Sequence, residues 1–256
     1  MLLAVDVGNS QTVIGVFNGD RMANHWRIST DPDRTPDELA LLFGGFMAFE
    51  DLSFSRNVHG VIVSSVVPVV TEMLRVMTHK YFHFDPVIVG PGTRTGMALS
   101  VDNPREVGAD RLVNALAAFE QYGGPGVVVD FGTATSYDVY SAKGEFLGGA
   151  IAPGVATSLR ALSLRGAQLP RIELATPRSA IGRSTIEAMR SGAVYGFAGA
   201  VDRTVTEITA ELKGNPVLVA TGGLAPSVLE ACRTEFQHDP WLTLRGLRIV
   251  WERNAD

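Results

Sequence analysis

Two Asp-x-Gly turns carry the clearest chemical signal in the sequence. The first, Asp6-Val7-Gly8-Asn9-Ser10, lies between the apolar segments 2–5 and 13–17, and Asp130-Phe131-Gly132-Thr133 repeats the pattern after residues 127–129. Glycine lets such a turn approach a ligand closely, and its backbone N–H groups can bind an anion such as phosphate. Asp6 is itself an anion, so it suits Mg²⁺ rather than phosphate. Taken alone, a turn of this kind also fits an ordinary β-hairpin.

The repetition favours a duplicated α/β protein that holds a nucleotide in the cleft between its two halves. A third segment supports this, because the apolar run 217–220 ends in Thr221-Gly222-Gly223. A glycine pair has no side chains and would let an adenine ring lie against the backbone. The breaker cluster Gly123-Gly124-Pro125-Gly126 divides the chain into predicted domains 1–122 and 123–256.

Hydrophobic periodicity predicts the elements that must position these turns. We expect a loop over 164–181, and Thr35 and Ser184 as helix N-caps. On the helix predicted at 185–212, Gly192, Gly196 and Gly199 permit close helix packing, which a dimer would use. Strands are predicted at 2–7, 12–18, 22–29, 60–65, 86–90, 127–141 (a hairpin), 146–151 and 216–221. Helices are predicted at 36–49, 68–79, 155–163, 185–212 and 225–236, and residues 106–111 lead into a further helix that runs to about 121.

Composition excludes several functional classes. The 256 residues carry a net charge of −5, which argues against nonspecific binding to nucleic acid or to an anionic membrane. The single cysteine, Cys232, rules out an intrachain disulfide and fits a reducing compartment. We find neither a signal peptide nor an apolar run long enough to cross a membrane, so a cytoplasmic protein is expected.

The dyad Asp110-Arg111 allows two interpretations. At a loop-to-helix junction such a pair is usually a helix cap with a solvated partner. The functional alternative is a general base beside an arginine that binds a substrate carboxylate. Aspartate is a weak base, but phosphoryl transfer depends mostly on positioning and charge neutralisation. The sequence has no P-loop, no Gly-x-Ser-x-Gly elbow and no Gly-x-Gly-x-x-Gly after a strand, which argues against the enzyme classes that use them.

Over nearly its full length the chain resembles the type III pantothenate kinases. The resemblance is carried by Asp6–Ser10, Gly108-Ala109-Asp110-Arg111, Asp130–Thr135 and Gly148–Gly154, of which the second motif is the most specific. It places the chain in the superfamily of acetate kinases, sugar kinases, heat-shock chaperones and actin. It implies an α/β fold of two actin-like (ribonuclease H-like) domains and a homodimer. The implied activity is ATP-dependent phosphorylation of pantothenate to 4′-phosphopantothenate, the first step of coenzyme A synthesis.

The resemblance also implies roles for individual residues. Asp6 would lie near Mg²⁺, Asp130 would bind a monovalent cation (K⁺ or NH₄⁺), and Thr133 would contact an ATP phosphate. Gly222 and Gly223 would border the adenine. The first phosphate loop would comprise Asp6, Val7, Gly8, Asn9, Ser10, Gln11, Thr12 and Val13.

For pantothenate, the resemblance implies binding by Gly108, Ala109, Asp110 and Arg111, with Asp110 as the general base for the hydroxyl. Thr185 would contact pantothenate near the dimer interface. The sequence departs from the family pattern at Val101, where many members have tyrosine, and at Val13, where many have a basic residue. Both departures bear on substrate affinity more than on activity.

Two alternatives share this resemblance. One is a non-catalytic protein like Bvg accessory factor. A basic nucleic-acid-binding surface would favour that alternative, and this sequence lacks such a surface. The other is a kinase of the same superfamily that acts on a sugar or on acetate.

Overall fold

The computed structural model describes residues 1–212 and 214–255, except for the side chain of Ser55. The strands are β1 (Leu2–Val7), β2 (Gln11–Asn18), β3 (Arg21–Ser29), β4 (Gly60–Ser65), β5 (Val87–Ile88), β6 (Ala98–Leu99), β7 (Gly126–Phe131), β8 (Ala134–Tyr140), β9 (Glu145–Pro153), β10 (Val217–Thr221) and β11 (Gln237–His238). The helices are α1 (Pro36–Ala48), α2 (Phe54–Asn57), α3 (Pro68–Phe82), α4 (Ala109–Tyr122), α5 (Val155–Arg165), α6 (Thr185–Leu212), α7 (Ala225–Leu229) and α8 (Leu242–Asn254), with one 3₁₀ turn at Pro104–Glu106.

Backbone contacts divide the chain into two compact units. The first unit contains Met1–Gly96, Arg105–Ala117 and the segment from Thr243 onward, and the second contains Met97–Pro104 and Ala118–Leu242. This division differs from the predicted ranges 1–122 and 123–256, chiefly because α8 packs in the first unit. A Cβ atom on Gly15 of β2 would lie 2.8 Å from the Leu244 side chain, so α8 covers the sheet closely at that point.

The first unit is built on a five-stranded sheet in the order β3-β2-β1-β4-β5. Strands β1, β2 and β3 are antiparallel neighbours, whereas β4 is parallel to β1 and β5 to β4. Alternate residues of β1, including Leu3, Val5 and Val7, enter a core that α1 and α3 complete with side chains such as Phe43 and Leu74. Asp6 points to the other face, in register with Ser64 of β4.

The second unit repeats this topology. Its sheet has the order β11-β10-β7-β8-β9-β6, in which β7, β8 and β9 are antiparallel neighbours and β10 is parallel to β7. Five of its strands therefore follow the same order as the first sheet, and β6 is added beside β9. Asp130 is the penultimate residue of β7, as Asp6 is of β1. The predicted duplication is thus confirmed in the strand order.

The two predicted N-cap residues lie at helix starts. Thr35 forms the predicted cap and makes a full capping box with Glu38. Ser184 accepts a hydrogen bond from the Glu187 N–H at 3.3 Å, while the Glu187 carboxylate accepts one from Arg190 at 3.1 Å. Within the described ranges, no helix is long and apolar enough to cross a membrane.

One predicted helix is wrong in its length. We expected residues 225–236 to be helical, but α7 ends at Leu229. The Asp202 carboxylate of α6 accepts hydrogen bonds from the N–H groups of Arg233 and Thr234 at 3.0–3.2 Å. These amides are therefore bound by a residue far away in sequence and do not continue the helix.

Candidate functional site

The first Asp-x-Gly turn joins β1 to β2 in a tight connection. The Gly8 N–H donates to the carbonyl oxygen of Gln11 at 3.0 Å and closes the turn. Asn9, Ser10 and Gln11 are exposed, whereas Asp6 is half-buried at the end of β1. The turn thus places exposed polar residues next to the half-buried Asp6 carboxylate. This arrangement suits a phosphate group with its metal ion.

Asp110 lies in the first turn of α4, in the same unit as the first turn. Its Oδ1 accepts a hydrogen bond from the Arg111 N–H at 2.9 Å. A Cβ atom on Gly108 would lie 2.5 Å from the same oxygen, so the observed carboxylate position requires glycine at 108. Both Asp110 and Arg111 are half-buried and lie in the first turn of α4, so this helix end carries one carboxylate and one guanidinium. The pair can accept a proton and bind an anion on one substrate.

The second Asp-x-Gly turn joins β7 to β8 in the second unit. Val7 is paired with Thr12 across the first turn, and Phe131 with Thr135 across the second, so the second connection is one residue shorter. The Gly132 N–H donates to the carbonyl oxygen of Ala134 at 3.0 Å. Thr133 is exposed at the tip, where its hydroxyl can reach a phosphate, and Asp130 is half-buried behind it.

The glycine pair after β10 lies beside this second turn. Thr221 is in register with Asp130 on the neighbouring strand β7. A Cβ atom on Gly222 would lie 2.5 Å from Asp130 Oδ1 and 2.6 Å from the Phe131 nitrogen, and Gly222 has φ +93°. Both the space and the backbone conformation therefore require glycine here. The structure brings together Asp130 and Gly222, which the sequence separates by more than ninety positions.

A threonine that the sequence did not indicate anchors the second turn. Thr157, in the first turn of α5, donates its hydroxyl hydrogen to the Thr133 carbonyl oxygen at 2.7 Å, and the Gly154 N–H donates to the same oxygen at 3.1 Å. The motif Gly148–Gly154 thus ends at a glycine that touches the turn. A lone threonine inside a helix has no distinctive sequence signal, so only the fold reveals Thr157.

The remaining predicted residues lie at unit surfaces. Thr185 is the first residue of α6 and is exposed, as is Gly223. Val13 is half-buried in β2, in register with Asp6, and Val101 is half-buried in the second unit, 3.7 Å from a Cβ position on Gly148. In the described part of the chain, no group of three or more His, Cys, Asp or Glu side chains forms a metal cluster. A cation at Asp6 or Asp130 would therefore take most of its ligands from substrate, backbone or water.

Comparison with known proteins identifies the family. The family model described as type III pantothenate kinase matches residues 2–207. The chain belongs to the type III pantothenate kinase family. A type III pantothenate kinase from Acidothermus cellulolyticus is 52% identical over 256 residues, which cover 100% of this chain and 99% of that protein. One from Frankia casuarinae is also 52% identical, over 99% of this chain and 100% of that protein.

The fold of this chain also occurs in other solved structures. The chain is similar to component A of (R)-2-hydroxyglutaryl-CoA dehydratase from Acidaminococcus fermentans, with a TM-score of 0.58 at 12% identity, covering 100% of this chain and 99% of that one. It is also similar to a ROK hexokinase from Thermus thermophilus, with a TM-score of 0.50 at 14% identity over 100% and 99% of the two chains. At these identities the likeness concerns the fold alone, and it agrees with the predicted two actin-like domains.

Proposed function

We propose that this protein phosphorylates pantothenate to 4′-phosphopantothenate with ATP, as the first step of coenzyme A synthesis. The observation that carries the proposal is the position of Gly108–Arg111, the family's most specific motif, at the N-terminal end of α4. There the Asp110 carboxylate can accept the proton of the pantothenate 4′-hydroxyl, and the Arg111 guanidinium can bind the carboxylate of the same substrate.

In the proposed reaction, Asp110 accepts the proton of the pantothenate hydroxyl as its oxygen attacks the γ-phosphorus of ATP. The new O–P bond forms while the bond from the γ-phosphorus to the bridging oxygen of ADP breaks, and ADP leaves with that electron pair. Positioning and charge neutralisation supply most of the acceleration in such a transfer. Arg111 orients the substrate by binding its carboxylate, with Gly108 and Ala109 lining the approach and Thr185 adding a further contact.

For ATP, we propose that residues 6–13 bind the phosphates through the exposed turn at Asn9 and Ser10, and that Thr133 contacts a phosphate. Gly222 and Gly223 border the adenine. Asp6 would hold Mg²⁺, since this ion takes few protein carboxylates and keeps several waters. Asp130 would hold K⁺ or NH₄⁺. These cations neutralise phosphate charge when bound.

We also propose a homodimer that is formed by the second unit. Large apolar side chains are exposed there, among them Ile181 at 81% and Ile151 at 65%. On α6, Ile186 and Tyr195 are exposed, and Cβ atoms on Gly192, Gly196 and Gly199 would meet nothing within 4 Å. A second copy would cover the exposed side of α6 that carries Gly192, Tyr195, Gly196 and Gly199, which we call the α6 face.

The net charge of −5 supports the proposal that neither nucleic acid nor an anionic membrane is a partner. The single cysteine supports a cytoplasmic location.

Calorimetric titration tests the choice of substrate. With Mg²⁺ and a non-hydrolysable ATP analogue present, we expect saturable binding of pantothenate and none of glucose or acetate. Mass spectrometry of the products formed with ATP should then show pantothenate heavier by one phosphoryl group. Binding of a sugar in place of pantothenate would instead indicate that this protein is a sugar kinase of the same superfamily.

A further inference from the structure

Thr30, the residue that follows β3, contacts the first Asp-x-Gly turn through both its backbone and its side chain. Its N–H donates to the carbonyl oxygen of Ser10 at 3.1 Å. Its hydroxyl donates to the carbonyl oxygen of Gly8 at 2.7 Å. One half-buried residue therefore binds two carbonyl groups of a turn that lies some twenty positions earlier in the chain.

These bonds decide which way the turn presents its amides. A trans peptide is planar, and its N–H points away from its C=O. Because the Gly8 carbonyl faces Thr30, the N–H of Asn9 in the same peptide faces the opposite direction. Without the hydroxyl bond this peptide would be held less firmly, because Gly8 and Asn9 lie in the short connection between β1 and β2, outside both strands. An anion-binding turn loses affinity when its amides are not fixed in advance.

The Thr30 hydroxyl is itself held in place. The Thr12 hydroxyl, from a side chain only 3% exposed on β2, lies 2.9 Å from that of Thr30. Thr12 is rigid because β2 is fully paired on both sides at this position. The chain Thr12–Thr30–Gly8 thus connects the turn to the sheet through two hydrogen bonds.

The second unit has a related bond. There the Thr157 hydroxyl donates to the carbonyl of Thr133, at the second turn. In both units a threonine that follows the third strand binds a carbonyl group of the turn. The two carbonyls are not equivalent, because Gly8 lies two residues after Asp6 and Thr133 lies three residues after Asp130.

We propose that Thr30 is a positioning residue for ATP: it fixes the phosphate-binding turn without touching the nucleotide. The proposal rests on the proposed function, because it takes the turn at residues 8–11 to be the phosphate loop. It predicts that loss of the Thr30 hydroxyl weakens binding of the phosphate portion of ATP and leaves the binding of the nucleoside and of pantothenate unchanged.

The test compares Thr30→Val, which removes the hydroxyl at nearly constant volume, with Thr30→Ser, which keeps it. Calorimetry measures the Kd for ATP with Mg²⁺ and for adenosine, and steady-state assays give KM for ATP and for pantothenate. Loss of one positioning hydrogen bond should weaken ATP binding about tenfold in Thr30→Val. Adenosine binding and the KM for pantothenate should stay unchanged, and Thr30→Ser should recover ATP binding.

Thr71→Val is the matched control, because the Thr71 hydroxyl also bonds a backbone carbonyl, that of Val67 at 3.1 Å, but on α3. It should leave ATP binding unchanged. If Thr30→Val bound ATP as tightly as the wild type, or lost ATP and adenosine affinity equally, the positioning role would be refuted. A wild-type protein that binds ATP but does not phosphorylate pantothenate would refute the proposed function alone, since the binding comparison still decides the role of Thr30.

Discussion

Gly222 lies directly against the carboxylate of Asp130: a Cβ atom at position 222 would come within 2.5 Å of Oδ1. The contact joins the end of β10 to the end of β7, two neighbouring parallel strands. It places a residue expected to border adenine beside one expected to bind a cation. Any side chain at 222 would displace the carboxylate, the backbone of Phe131 or both.

Gly222→Ala should therefore lower the free energy of unfolding by about 1–3 kcal/mol, because φ +93° is unfavourable for alanine and its Cβ has no space. Urea unfolding measures the loss. Gly45→Ala is the matched control, since Gly45 lies inside α1 with nothing within 4 Å of its Cβ position. That change should stabilise by up to about 1 kcal/mol. Equal stability of Gly222→Ala and the wild type would contradict the packing described here.

Asp110→Asn should keep the fold and lower kcat about a hundredfold or more, because the amide cannot accept the hydroxyl proton. Initial rates with saturating ATP and pantothenate measure this, and circular dichroism checks the fold. Asp102→Asn, which changes an exposed carboxylate in the preceding turn, should leave kcat unaltered. An Asp110→Asn enzyme with wild-type kcat would remove Asp110 from the role of base.

Asp130→Asn should abolish stimulation by K⁺, because the neutral amide no longer offers a charge for the cation. The measurement is the ratio of turnover in K⁺ to turnover in Na⁺ at constant ionic strength. For the variant this ratio should fall to about one. Persistent K⁺ stimulation in Asp130→Asn would mean that the cation binds elsewhere.

Much of the site follows from local sequence signals. The turns at Asp6 and Asp130 are predictable because each interrupts an apolar strand with residues that suit a tight connection. The duplication predicts that the two sheets share a strand order, although it does not predict the order itself. The early end of α7 cannot be predicted from local sequence signals, because it depends on Asp202, a residue about thirty positions earlier.

Long-range packing accounts for the other differences. Helix α8 has an ordinary amphipathic sequence, and it belongs to the first unit through contacts with residues far away in the chain, such as Gly15, Gly60 and Asp20. Thr30 and Thr157 act through single hydroxyl groups whose partners are backbone atoms. Backbone partners leave no residue pattern in a sequence, so such residues are identified only in the folded chain.

The wild-type protein should sediment as a dimer, at twice the 27.4 kDa mass of one chain. Tyr195→Asp would bury a charge in the α6 face and should shift the equilibrium to monomer. Analytical ultracentrifugation measures both. Leu41→Asp, at a still more exposed position on α1 in the first unit, should remain dimeric. A monomeric wild type, or a dimer that tolerates Tyr195→Asp, would rule out the α6 face as the interface.

Cys232 should react slowly with iodoacetamide at neutral pH. Burial, and secondarily the charge of Asp202, raise the pKa of its thiol from 9.0 to about 11. A raised pKa means less thiolate below that pH, so the folded protein should react about a hundredfold more slowly than the urea-unfolded chain near pH 8. The folded-state rate should rise about tenfold for each pH unit up to about pH 11. A rate that levels off near pH 9 would contradict this environment for the thiol.

The central claim is most directly tested by ATP consumption with Mg²⁺ and K⁺, in the presence and absence of pantothenate. We predict turnover that requires pantothenate and that collapses when Na⁺ replaces K⁺. Pantothenate-dependent turnover that is indifferent to K⁺ would preserve the kinase and contradict the role of Asp130. Folded protein that consumes no ATP with pantothenate would contradict the proposed function itself.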